Sequence, residues 1–144
     1  MTDGVEPELR VVVIRDDSDV GTARRCAREL AARHGLAGVE IEALATAVTE
    51  IARNIVVHAG HGEIRIAPAT GARLRGVVVT AIDAGPGIAR VEQAMQDGFS
   101  TTGSLGFGLP GAKRLVDDFE IESTVGEGTR ITLRKWAADS TRMP

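Results

Sequence analysis

A chain of 144 residues with 43% hydrophobic and 26% charged content is large enough for one core and balanced like a soluble globular domain. A net charge of −3, interspersed acids and bases, and 3% aromatic residues exclude the basic stripe and stacking platforms of nucleic-acid binders. No apolar run approaches the ~20 residues of a membrane span. The start Met1-Thr2-Asp3-Gly4-Val5-Glu6 lacks a secretory pattern, and the single Cys26 suits a reducing cytoplasm.

One folded domain is expected over residues 9–136, with residues 1–8 and 137–144 as flexible tails. Leu9–Arg15 holds four consecutive β-branched residues, Val11 to Ile14, and reads as a buried strand. Asp16-Asp17-Ser18-Asp19 offers N-caps for a helix over 19–34, with Val20, Ala23, Ala27, Leu30 and Ala31 on one face and Gly35 at its C′ position. Arg24 and Arg28, one turn apart, form either a partner-facing strip or a solvated face. Cys26 reads as a small packing residue.

The second helix, over 39–57, keeps Ile41, Leu44, Ala45, Val48, Ile51, Ala52 and Ile55 on a core-facing stripe. Glu50 and Asn54 fall almost opposite and, being four apart, stack on one face. Their neighbours there are Ala43, Ala47 and Val57 rather than the charged residues of a solvent face. A small, uncharged surface around a carboxylate and an amide suggests a cover, and a ligand is one candidate.

His58-Ala59-Gly60-His61-Gly62 reads as a solvated turn, because no Cys/His cluster accompanies the two histidines. Glu63–Ile66 alternates as a strand, Pro68–Gly71 resembles a hairpin turn, and Leu74–Ile82 is a strand that delivers Asp83 at its end. Val91–Gln96 reads as a short helix and Asp97–Ser104 as a loop. Residues 106–118 form a third helix, with Pro110 tolerated in its first turn. Strands Phe119–Val125 and Arg130–Trp136 close the chain around a glycine hairpin turn. Strands joined by short turns predict an α+β fold: a two-layer sandwich of a mixed, mostly antiparallel sheet with helices on one face.

Three glycine clusters remain to be explained. Gly106-Phe107-Gly108-Leu109-Pro110-Gly111 matches G-x-G-x-x-G, but a polar loop precedes it and a hairpin follows, so no dinucleotide-binding βαβ unit surrounds it. No Gly-Lys-Ser/Thr occurs, which removes the Walker A motif. Glycines that serve only turns and caps would explain one cluster. Three of them beside a Glu/Asn pair point to a backbone that approaches a ligand.

Glu50-x-x-x-Asn54, Asp83-x-Gly85-x-Gly87, Gly103-x-x-Gly106-x-Gly108 and Gly128-Thr129 occur in the order found in the GHKL (Bergerat-fold) ATPases, and the resemblance covers residues 9–136. The small size, Gly106-Phe107-Gly108-Leu109-Pro110-Gly111-Ala112-Lys113 and the closing Arg134-Lys135-Trp136 resemble its switch and anti-sigma serine kinases, the RsbT type above the RsbW and SpoIIAB types.

That resemblance implies ATP and Mg²⁺ as cofactors. It makes Glu50 the catalytic base, Asn54 the Mg²⁺ ligand, and Asp83 the acceptor for the adenine amine, supported by Thr129. Gly85, Gly87, Ile88, Gly103, Ser104, Leu105, Gly106, Phe107 and Gly108 would line the nucleotide, with Ile88–Leu105 as a lid. The implied substrate is a serine on a STAS-domain (RsbS-like) protein. The implied downstream partner is a PP2C-type (RsbU-like) phosphatase, and related kinases form homodimers. Binding a sigma factor as an anti-sigma kinase, or acting as a nucleotide-gated module, is the alternative. Lys113 reads as a salt-bridge partner of Asp117 or as solvent-facing, and Arg53 as facing a partner or solvent.

Overall fold

The computed structural model describes residues 8–71, 74–88, 91, 95 and 108–138. Strand β1 (Arg10–Ile14) leads into α1 (Asp17–Arg33) and α2 (Gly38–Asn54). Strands β2 (Gly62–Gly71) and β3 (Leu74–Asp83) follow, then α3 (Gly108–Leu115), β4 (Asp118–Thr124) and β5 (Gly128–Trp136).

The helix ends obey local chemistry. The Asp16 carboxylate accepts from the Ser18 and Asp19 N–H groups at 3.0 and 3.3 Å and from the Ser18 hydroxyl at 2.6 Å. These bonds cap α1 and hold the Asp16 carboxyl below the ordinary aspartate range. At the other end Gly35 takes φ +88°, and the Leu36 N–H donates to Ala31 O at 3.1 Å, a Schellman closure with Leu36 buried. Glu40 reaches back to the Ala37 N–H at 2.7 Å to start α2.

The five strands form one sheet in the order β1-β2-β3-β5-β4, and every pairing is antiparallel. β2 runs through Pro68–Gly71, the segment expected to turn; Gly71 pairs with Leu74, so the reversal falls after it. Proline is tolerated there because β1 pairs with Gly62–Ile66, and among the described residues nothing pairs with that edge of β2 beyond Ile66.

Alternation along the strands sends one face to the helices. Val12, Ile14, Ile64, Ile66, Val77, Val79, Ile131 and Leu133 are buried with Val20, Ala27, Leu30, Leu44, Val48 and Ile51 in one core. The five α1 residues placed on its apolar face are all buried. On the other sheet face Val11 and Val13 are about half exposed, in line with Glu63 and Arg65, which pair with each other. The result is the expected α+β two-layer sandwich. No helix among the described residues is long and apolar enough to cross a membrane.

Several surface expectations resolve into specific pairs. Arg28 and Arg24 both reach Glu42 of α2, at 2.7 and 4.0 Å, and so bridge the two helices. Asp117 meets Lys135 at 4.0 Å and accepts from the Trp136 N–H at 2.7 Å, while Lys113 is exposed, the solvent-facing one of its two readings. Glu8 contacts His34 at 2.6 Å and Arg33 at 2.9 Å, and the His34 bond draws its carboxyl below the usual range. Ala137 is buried and donates its N–H to Arg75 O at 2.8 Å. These contacts tie Glu8 and Ala137, both assigned to the tails, to the body of the fold.

Candidate functional site

Among the sequence-predicted residues, Asp83, Gly85, Gly87, Ile88 and Thr129 gather at one end of the sheet. Antiparallel register sets Asp83 beside Gly62 on one side and Thr129 on the other, and Ser123 beside Thr129. Period-two alternation points Ser123 and Thr129 to the helix side of the sheet, and Thr129 is buried to 6% exposure. Asp83 folds back on its own backbone, its Oδ1 accepting from the Gly85 N–H at 2.9 Å. This is an Asx turn, and it fixes the direction in which the chain leaves β3.

The loop from Asp83 to Ile88 is held between two neighbours. Beyond Asn54 the backbone widens into a π-helical turn, Ile55–Ala59, closed by the Gly60 N–H on Ile55 O at 2.9 Å. A Cβ on Gly85 would lie 2.6 Å from Ala59 Cβ, so the loop presses directly on that turn. On the other side the Gly126 N–H donates to Pro86 O at 2.8 Å, and the Ile88 N–H donates to Ser123 Oγ at 2.7 Å. Gly87 has φ +78°, and a Cβ there would lie 2.3 Å from Thr124 O. Gly128, at φ +129°, would place a Cβ 2.1 Å from Asp83 O. These glycines let the loop seat against the β4–β5 hairpin; backbone, rather than a ligand, fills the space beside them.

Glu50 and Asn54 are half-buried, one turn apart on α2, as the wheel predicts. The cover over their face is in part protein. α3 packs against α2, Ala47 is fully buried, and the Gly108 N–H donates to Glu50 Oε1 at 3.2 Å. The small residues Ala43 and Ala47 therefore lie on a side of α2 that a neighbouring helix approaches, and that helix supplies part of the cover the sequence suggested. Gly108 has φ +65°, and among the described residues the only atom within 4 Å of a Cβ there is Pro110 Cδ at 3.7 Å. The first N–H of α3 thus faces a carboxylate at an end that attracts anions.

Gly103, Ser104, Leu105, Gly106 and Phe107 lie outside the described residues, as does most of the Val91–Gln96 segment. Within that segment the Met95 N–H donates to Val91 O at 3.0 Å, the spacing of a helical turn. Sequence reasoning passed over Ser123. Its signal was present, since Phe119, Ile121 and Ser123 share the inward row of β4, and a hydroxyl in an apolar row asks for a partner. It finds Thr129 Oγ1 at 2.8 Å and Gly128 O at 3.1 Å.

The arrangement offers a carboxylate acceptor and a buried threonine at a strand end, then a carboxylate at a helix N-terminus with an amide one turn further along α2. Comparison with known proteins points to one family for the chain as a whole. Residues 14–135 match the histidine kinase-like ATPase domain. The serine/threonine-protein kinase RsbT of Bacillus subtilis is 43% identical over 125 residues, covering 87% of this chain and 94% of that protein. An anti-sigma F factor of Caldanaerobacter subterraneus is 35% identical over 101 residues, 67% of this chain and 71% of its own length. The crystal structure of the RsbU and RsbW domains of Rv1364c from Mycobacterium tuberculosis superposes with a TM-score of 0.61 at 23% identity. It covers 91% of this chain and 32% of that longer one, and shares the fold. The chain belongs to the histidine kinase-like (GHKL) ATPase family, in the branch that holds serine/threonine kinases of the RsbT kind and anti-sigma factors.

Proposed function

We propose that this chain, a protein-serine/threonine kinase of the GHKL type, phosphorylates a serine of a STAS-domain (RsbS-like) partner and works by partner switching. In this reading the freed kinase then engages and activates a PP2C-type (RsbU-like) phosphatase. The observation that carries the reading is the Glu50 carboxylate at the N-terminus of α3, 3.2 Å from the Gly108 N–H, with Asn54 one turn away.

Each residue's chemistry suits its role. Asp83 presents an acceptor to the exocyclic amine of adenine, and the buried Thr129 beside it completes the base pocket. Gly108 offers an N–H at a helix terminus, where phosphate charge is stabilised. Glu50 takes the proton from the acceptor serine as its Oγ bonds to phosphorus and ADP departs. The Asn54 amide oxygen is a hard donor of the kind Mg²⁺ prefers, and bound Mg²⁺ would neutralise phosphate charge. No group of three or more His, Cys, Asp or Glu side chains gathers among the described residues, so phosphate oxygens and water would supply the rest of that shell. A phosphate on the partner's serine adds about −1.5 to −2 charge, enough to break an interface that had buried the hydroxyl.

The similarity to anti-sigma F factors supports a second reading, in which the kinase holds a sigma factor. Two experiments separate them. Incubation with radiolabelled ATP and the cognate STAS protein should label the latter, and Glu50→Ala should slow transfer about 10²- to 10⁴-fold. Labelling by Glu50→Ala at the wild-type rate would overturn the catalytic role. Co-purification with a sigma factor in place of a phosphatase would favour the second reading.

A further inference from the structure

Ser123 has three polar neighbours and, as a hydroxyl, one proton and two lone pairs. The Ile88 N–H, at 2.7 Å, takes one lone pair. Gly128 O, at 3.1 Å, can only accept, so the Ser123 proton must point to it if that contact is to be a hydrogen bond. Thr129 Oγ1, at 2.8 Å, must then donate its own proton to the second lone pair of Ser123. The opposite choice would spend the Ser123 proton on Thr129 and leave two unprotonated oxygens 3.1 Å apart. One assignment satisfies all three contacts.

The consequence concerns Thr129. With its proton held by Ser123, the Thr129 hydroxyl shows only lone pairs to the space it shares with Asp83, its cross-strand neighbour. Asp83 is likewise an acceptor. We infer that Ser123 is a specificity-determining residue: by orienting the Thr129 proton, it makes this end of the sheet an all-acceptor surface. Such a surface takes a purine that carries an amine at position 6 and repels one that carries a carbonyl there. The inference rests on the proposed reading that Asp83 and Thr129 meet the base. Ser123 reaches no reacting atom; it acts through Thr129. Its third bond, to Ile88, fixes where the chain leaves the Asp83–Gly87 turn, so base selection and loop position share one hydroxyl.

The test compares ADP with GDP binding by calorimetry in the wild-type chain, Ser123→Ala, Ser123→Thr and Thr129→Val. Wild type should prefer ADP. Ser123→Ala frees the Thr129 proton to meet a carbonyl and should reduce the ADP:GDP preference about tenfold, one hydrogen bond's worth. Ser123→Thr retains the hydroxyl and should keep the preference. Thr129→Val should lose it without Ser123 being touched, and this variant carries the test if Ser123→Ala does not fold. An unchanged ADP:GDP ratio in Ser123→Ala, or equal loss in Ser123→Thr, overturns the inference. Hydrogen exchange at the Ile88 amide without nucleotide should be faster in Ser123→Ala, and an unchanged rate refutes the anchoring. If wild type binds neither nucleotide, the ATP reading itself fails and the specificity claim falls with it, whereas wild-type ADP selectivity with an indifferent Ser123→Ala defeats the inference alone.

Discussion

Gly85, Gly87 and Gly128 sit where a side chain would strike the protein itself, whereas among the described residues only Pro110 comes near a side chain at Gly108. At the Asp83 end, glycine lets three backbones come together: the turn after β3, the π-helical turn after α2, and the β4–β5 hairpin. At the α3 end, the left-handed φ of Gly108 sets the direction of the chain, and among the described residues only Pro110 nears its Cβ position. One residue type thus builds a wall in the first region and, among the described residues, an entrance in the second. A ligand meeting the wall would be read by side chains, Asp83 and Thr129. At the entrance it would be read by backbone N–H groups.

The largest expected effect breaks the wall. In Gly128→Ala the new Cβ would lie 2.1 Å from Asp83 O at a φ of +129°. Strain and overpacking each cost about 1–3 kcal/mol, so a loss of about 3 kcal/mol or more is expected. Urea denaturation checks it, and a midpoint near wild type would show that the loop can shift away from the hairpin. Asp83→Asn should affect binding and spare the fold. An asparagine oxygen can still accept from the Gly85 N–H, now 2.9 Å from the carboxylate, so the turn survives. The acceptor offered to the adenine amine loses its charge, and nucleotide affinity should fall at least about tenfold by calorimetry. Unchanged affinity would remove Asp83 from the base pocket.

Much of this was legible in the sequence for physical reasons that are local. The spacing of Val20, Ala23, Ala27, Leu30 and Ala31 fixes which side of α1 is buried, whatever it packs against. Glu50 and Asn54 could be singled out because their neighbours on the far face of α2 are small and uncharged, and Asp83 because it ends a strand at a glycine-rich turn. What escaped depends on distant partners. Pro68 reads as a turn until the pairing of β1 is seen to stop at Ile66, beyond which that edge of β2 is unpaired among the described residues. Ala47 reads as a small residue on a face that needs a cover, and only the packing of α3, some sixty residues on in the chain, shows that protein supplies part of it. The widening at Ile55–Ala59 leaves no mark in a sequence whose apolar period continues through it. Ser123 was available, a hydroxyl in the row of Phe119 and Ile121, but only the register with Thr129 gives it a task.

The smallest effect sharpens the entrance. Gly108→Ala meets no clash among the described residues, so the expected cost is that of the left-handed φ of +65°, about 1 kcal/mol. That is well below the loss expected for Gly128→Ala, and the difference between the two alanines measures how closely the wall is packed. The Gly108 N–H is retained in the variant, so its bond to Glu50 can persist, and any loss of phosphate transfer would come from a shifted α3 terminus. If α3 holds its place, transfer should stay within a few-fold of wild type at saturating ATP. A destabilisation as large as that of Gly128→Ala would show that this position, too, is closed by protein, and the contrast between the two glycine regions would collapse.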